Sequence, residues 1–132
     1  MLLMSNDNRP VNINLIKIRL PIAALVSITH RLAGMYIFFI TFPLSVYLFQ
    51  SSIESQTSFD DLVSFLKDSI YISTFVAFSY LVLWYHILTG IRHLIMDMHI
   101  GESLSASRIS SIFVICAWVL SAAFILTLVI FR

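Results

Sequence analysis

Charged and apolar positions are sharply segregated along this chain. Three stretches, 32–53, 69–91 and 109–131, contain no Asp, Glu, Lys or Arg. Each is long enough to cross a ~30 Å hydrocarbon layer as a helix, which takes about 20 residues. Helices satisfy every backbone hydrogen bond within the segment, as lipid demands. The pattern predicts an all-α membrane protein with transmembrane helices over 23–49, 69–92 and 109–131. An N-terminal interfacial segment (1–22), an outer loop (50–68) and an inner loop (93–108) complete the expected layout.

The connecting segments are polar. Residues 50–68 are rich in serine and carry Glu54, Asp60, Asp61 and Asp68 against Lys67. Ser58 followed by Asp61 resembles a capping box, and Phe59, Leu62, Val63, Phe65 and Leu66 suit one face of a short interfacial helix; the segment is read as a connector at headgroup level. Val11, Ile13 and Leu15 alternate with Asn12 and Asn14 ahead of Pro21, which suits an extended or interfacial strip. Met1-Leu2-Leu3-Met4 lacks the basic start of a signal peptide, and the region is not Arg-rich like a transit sequence.

Composition agrees. Of the 132 residues, 59% are hydrophobic and 11% charged, about half the charged share of a soluble domain. A net charge of +1 gives no reason to expect nucleic acid. Cys116 stands alone in the third apolar run, which excludes an intrachain disulfide and suggests a buried packing residue. With three spans, the N-terminus and the 93–108 loop share one side of the membrane. That side, with the helix ends, carries Arg9, Lys17, Arg19, Arg31, Arg92 and Arg108, six of the eight basic residues. The positive-inside rule places it in the cytoplasm or matrix and the C-terminus outside.

Against this background the polar residues within the spans stand out. His86, Gly90, His93 and Asp97 fall within an arc of roughly 60° on one helix. Ionisable residues in a membrane segment mark function by default. A histidine one turn from a glycine is what a helix needs if a flat ligand such as haem is to approach it. On the first helix, Ser27, His30, Arg31 and Gly34 share an arc of roughly 100°. A serine hydroxyl and a guanidinium on one face can hold a carbonyl oxygen and a second polar group; Arg31 equally suits a snorkelling interfacial anchor. The first helix begins and the second ends on the same membrane side. A cofactor ligated by His86 would lie in that half, with Arg31, His30 and His93 near anionic propionates.

Ligand spacing points to a partner. His86 and His93 are about 10.5 Å apart along one helix, so they cannot be opposite axial ligands of one iron. His30 begins the first helix and His99 lies beyond the second, so neither is an obvious opposing ligand at the depth of His86. A six-coordinate haem would take its second histidine from another chain. Nothing in the sequence suits flavin or an iron–sulfur cluster.

Arg9-Pro10-Val11, Ser27-Ile28-Thr29-His30-Arg31 and His86-x3-Gly90-Ile91-Arg92-His93-x3-Asp97 together resemble the signature of the cytochrome b subunits of succinate dehydrogenase, one of the two small membrane anchors of respiratory complex II. The likeness runs from Arg9 to the end. Ala33 departs from it, standing where a small hydroxyl residue is usual, and His99 stands where a small residue usually follows Asp97.

The resemblance implies half of a heterodimeric, haem-binding helical bundle in a bacterial inner membrane, with a mitochondrial one the lesser expectation. His86 matches the axial ligand of haem b. Ser27 and Arg31 match quinone-binding residues, with ubiquinone as the bound substrate. Arg31, His30 and His93 match positions around the propionates. On the residues alone His93 equally suits a helix end, and Asp97 a helix end or a partner contact. The implied partners are a second small anchor subunit supplying the other haem ligand, an iron–sulfur subunit and a flavoprotein subunit. The isolated chain is then a non-catalytic anchor. The alternatives are the anchor of a quinol:fumarate reductase, a cofactor-free structural membrane subunit, and a self-contained dihaem cytochrome, which would need more histidine pairs than the chain has.

Overall fold

The computed structural model describes residues 19–131. The expected N-terminal segment, with Arg9-Pro10-Val11, the alternating 11–15 strip and Lys17, lies almost wholly outside them, as does Arg132. The described residues form helices α1 (Ile22–Tyr36), α2 (Phe42–Glu54), α3 (Gln56–Asp68), α4 (Ile70–Asp97) and α5 (Leu104–Ile130), with a π-turn over Ile37–Thr41 joining α1 to α2. Among the described residues, three spans are long and apolar enough to cross a membrane: Ile22–Glu54, Ile70–Asp97 and Leu104–Ile130. The all-α, three-span expectation holds.

The helices run past the expected limits. The first span continues to Glu54, and most of the expected outer loop is α3. Its N-cap is Ser55, whose Oγ accepts from Ser58 N at 3.0 Å, so the cap lies three residues before the position anticipated at Ser58. Helix α4 extends to Asp97, which leaves only 98–103 between α4 and α5. Arg92 and His93 therefore stand inside a helix rather than at its exit. The π-turn ends two residues before Pro43, in the first turn of α2. Proline lacks an N–H and its ring clashes with the carbonyl four residues back, and the widened turn accommodates both.

The interior is unusually polar. Val26, Ala33, Leu81 and Val114 are the buried apolar residues among those described, while Thr41, Ser73, Ser79, Thr89, Arg92, Ser107 and Ser111 are also buried. Leucine gains nothing by leaving lipid, so small residues and hydrogen bonds hold membrane helices together. Tyr36 Oη lies 3.1 Å from Ser79 Oγ, and Thr41 Oγ1 donates to Ser79 O at 3.3 Å, both between the first span and α4. Trp118 Nε1 of α5 donates to Leu81 O of α4 at 2.9 Å, and Trp84 Nε1 to Ser121 Oγ at 3.2 Å. Ser73 Oγ bonds Leu66 O, tying α3 to α4. The large apolar side chains, Phe38, Phe39 and Phe113 among them, point outward. Cys116 is exposed rather than buried, because the lipid-facing side of a span is where apolar residues belong.

The α4–α5 turn explains His99. Its φ is +62°, in the left-handed region, and its Nδ1 pairs with Glu102 Oε1 at 2.8 Å on the surface. A non-glycine residue there costs roughly 1–2 kcal/mol, more when β-branched. His99→Gly removes that strain but loosens the unfolded chain by about 0.5–1 kcal/mol, so the thermal midpoint of the purified complex should barely move. His99→Val should lower it clearly. Equal midpoints for the two variants would show that the turn does not impose this conformation.

Candidate functional site

The site lies where α1 crosses α4. The rings of His30 and His86 stack with centroids 4.0 Å apart and planes 8° from parallel. His93 tilts onto His30, with centroids 5.1 Å apart. The three histidines singled out from sequence thus form one cluster. Each helix contributes a His-x3-Gly pair, and the pairs pack reciprocally. A Cβ at Gly34 of α1 would meet His86 Cε1 at 3.1 Å, and one at Gly90 of α4 would meet His30 Cε1 at 3.4 Å. Gly90 was expected to leave room beside His86; in the structure it receives His30, and Gly34 admits His86.

Hydrogen bonds orient both rings. His86 Nδ1 lies 3.1 Å from His30 O. A carbonyl only accepts, so Nδ1 carries the proton and Nε2 presents its lone pair. His30 Nδ1 lies 2.7 Å from Thr89 Oγ1, whose own proton can go to Tyr85 O at 2.8 Å. With that proton so directed, His30 Nδ1 donates. Thr29 Oγ1 and Tyr85 Oη, 2.6 Å apart, close the same crossing on its outer side.

The donor set fits the haem expectation. A histidine whose Nδ1–H is held by a backbone carbonyl is oriented for ligation through Nε2. Contrary to the expectation from its place near the start of the helix, His30 lies level with His86; it is nonetheless stacked face to face on it, so the two cannot stand at opposite axial positions of one iron. His99 lies beyond the end of α4, in the turn. Ser27 is half-buried and Arg31 exposed, both on α1. Arg31 lies within electrostatic reach of His30 and His93, and Asp97, exposed at the last position of α4, within reach of His93. Ala33 is buried in α1.

Two contributors were not singled out from sequence. Thr89, fully buried, orients His30. Arg92, counted above among the basic residues at the inner helix ends, is 5% exposed and hydrogen-bonded to α5. The signal for it was the serine series Ser103, Ser105, Ser107, Ser110 and Ser111, excessive for a lipid-facing helix start.

Comparison with known proteins decides the family. Residues 5–129 match the model of the Succinate dehydrogenase/Fumarate reductase transmembrane subunit. The chain belongs to this family. It is 37% identical over 106 residues to the succinate dehydrogenase cytochrome b556 subunit of Coxiella burnetii, covering 80% of this chain and 84% of that one. The corresponding subunits of Rickettsia felis and Rickettsia typhi are 32% and 31% identical, each over 79% of both chains. The chain is thus a multi-pass transmembrane subunit of the succinate dehydrogenase/fumarate reductase type.

The reciprocal glycines give an ordered pair of outcomes. Alanine is favoured over glycine in a helix by ~1 kcal/mol, whereas overpacking costs roughly 1–3 kcal/mol. Gly90→Ala, with ordinary contact distance to His30, should leave thermal stability of the purified complex unchanged or slightly higher. Gly34→Ala should lower it. The reverse order would mean that His86 is the freer ring.

Proposed function

We propose that this chain is the membrane-anchoring cytochrome b subunit of a succinate dehydrogenase, in which His86 provides one axial ligand of haem b through Nε2. The observation that carries the reading is the His86 Nδ1–His30 carbonyl contact of 3.1 Å, which leaves Nε2 as the donor atom. Haem b supplies a one-electron redox centre when bound. His30, Arg31 and His93 would hold the propionates, where a guanidinium and imidazole N–H groups would stabilise anionic oxygens. A second small membrane subunit contributes the opposite histidine, since the stacked His30 does not.

Ser27 and Arg31 form this chain's part of a ubiquinone site. The hydroxyl and the guanidinium orient the quinone by hydrogen bonds to its oxygens and stabilise charge developing there during reduction. Electrons come from succinate through a flavoprotein and an iron–sulfur subunit, which this anchor holds at the membrane. The cytochrome b556 names and bacterial sources of the relatives and the basic inner side of the spans support a bacterial inner-membrane protein with its N-terminus in the cytoplasm. A quinol:fumarate reductase anchor is the second reading, because the matching family description spans both enzymes.

Two experiments test these assignments. His86→Leu should abolish or alter the low-spin b-type absorbance of the purified complex, and His99→Leu should not. An unchanged bis-histidine spectrum in His86→Leu refutes the ligand assignment. Succinate oxidation with a soluble dye should survive, because that chemistry resides in other subunits.

Ser27→Ala removes one hydrogen bond, worth ~0.5–1.5 kcal/mol, and Arg31→Leu removes a charged donor worth ~1.5–3 kcal/mol. Both should slow succinate-to-quinone turnover more than succinate-to-dye turnover, Arg31→Leu by the larger factor. Wild-type quinone kinetics in both variants, at normal assembly, would remove these residues from the site.

A further inference from the structure

We infer that Arg92 is a positioning residue, whose guanidinium, clamped on Ser107 and Ser110 of α5, sets the rotation of α4 and so the direction in which His86 and His93 face α1. The inference rests on the reading of His86 as a haem ligand. Arg92 Nε donates to Ser110 Oγ at 3.0 Å, and Nη2 donates to Ser107 Oγ at 2.9 Å and Ser107 O at 3.1 Å. Ser110 Oγ in turn donates to Ser107 O at 3.1 Å, which aims its lone pairs at the guanidinium. These partners on α5 are neutral. Burying a cation in a membrane span among neutral groups is expensive, and such a group is better explained by the geometry it enforces than by stability.

The helix period supplies the geometry. Successive residues are about 100° apart, so a side chain held against α5 at position 92 turns position 93 toward α1. His86, six residues earlier, is about 120° from Arg92 and shares the α1-facing side with His93. That is where the structure has them, stacked on or tilted against His30. A lysine would bring one point charge to this place. The planar fork of arginine engages two serines and a carbonyl with donors in fixed directions, where the three donors of an ammonium rotate freely, and so resists rotation of α4 about its axis.

The test compares the assembled complex carrying Arg92→Gln, the pair Ser107→Ala and Ser110→Ala, or all three substitutions. The readout is the low-temperature electron paramagnetic resonance signal of the low-spin haem, which reports the relative orientation of the axial imidazoles, with haem content and thermal midpoint measured alongside. Arg92→Gln and the serine pair should each shift the low-spin signal at unchanged haem content. The triple variant should shift it no further than Arg92→Gln, because all three side chains act through one clamp. A lowered midpoint with an unshifted signal would overturn the inference and leave Arg92 a purely structural contact. Should Arg92→Gln fail to assemble, the serine pair decides, since it keeps the charge and removes its hydroxyl anchors; an unshifted signal there overturns the inference. Failure of the ligand reading is seen separately, as an unchanged spectrum in His86→Leu.

Discussion

At the crossing of α1 and α4, two imidazoles lie face to face, each against the glycine of the opposite helix. The hydrophobic effect does not hold that crossing together, because lipid is as apolar as any side chain that could be buried there. What remains is close approach and hydrogen bonding. The glycines permit the approach, and the His86–His30 carbonyl and His30–Thr89 bonds fix each ring in one orientation. Tyr85 with Thr29, and Tyr36 and Thr41 with Ser79, continue the seam on either side. Position and chemistry are therefore one problem here: the contacts that join the helices also present Nε2 of His86.

The third span serves a different end. Helix α5 contributes no histidine, yet it carries the serines that hold Arg92 and the tryptophan that reaches Leu81 O. Helix α4 is thus gripped on two sides, by imidazoles and glycines from α1 and by hydroxyls from α5. Its buried face is polar apart from Leu81, and most of its large apolar residues look outward.

Much of this was legible in the sequence. The three uncharged runs announced the spans, and the spacing of His86, Gly90 and His93 announced the face. Both His-x3-Gly pairs were visible, but their reciprocity was not, because helical spacing reports which residues share a face and says nothing of which residue on another helix they meet. Helix ends were read too short for a related reason. A charge such as Arg92 looks like the edge of a membrane segment until its partners on α5, 15 and 18 residues on and beyond the turn, are known. Cys116 was misplaced because a buried thiol is the rule in water-soluble proteins, where apolar means inside.

The π-turn before Pro43 has a consequence for the first span. An added residue in one turn rotates everything beyond it by about 100° relative to an uninterrupted α-helix. The half of the span bearing Ser27, His30, Arg31 and Gly34 is therefore out of phase with the half that packs on α3. A single wheel drawn through Ile22–Glu54 would set Ser45, which meets Tyr80 Oη at 3.1 Å, about 100° away from its actual direction. The widened turn works as a phase shifter, letting one continuous rod present a histidine face to α4 at its inner end and an independent hydroxyl face to the same helix farther out.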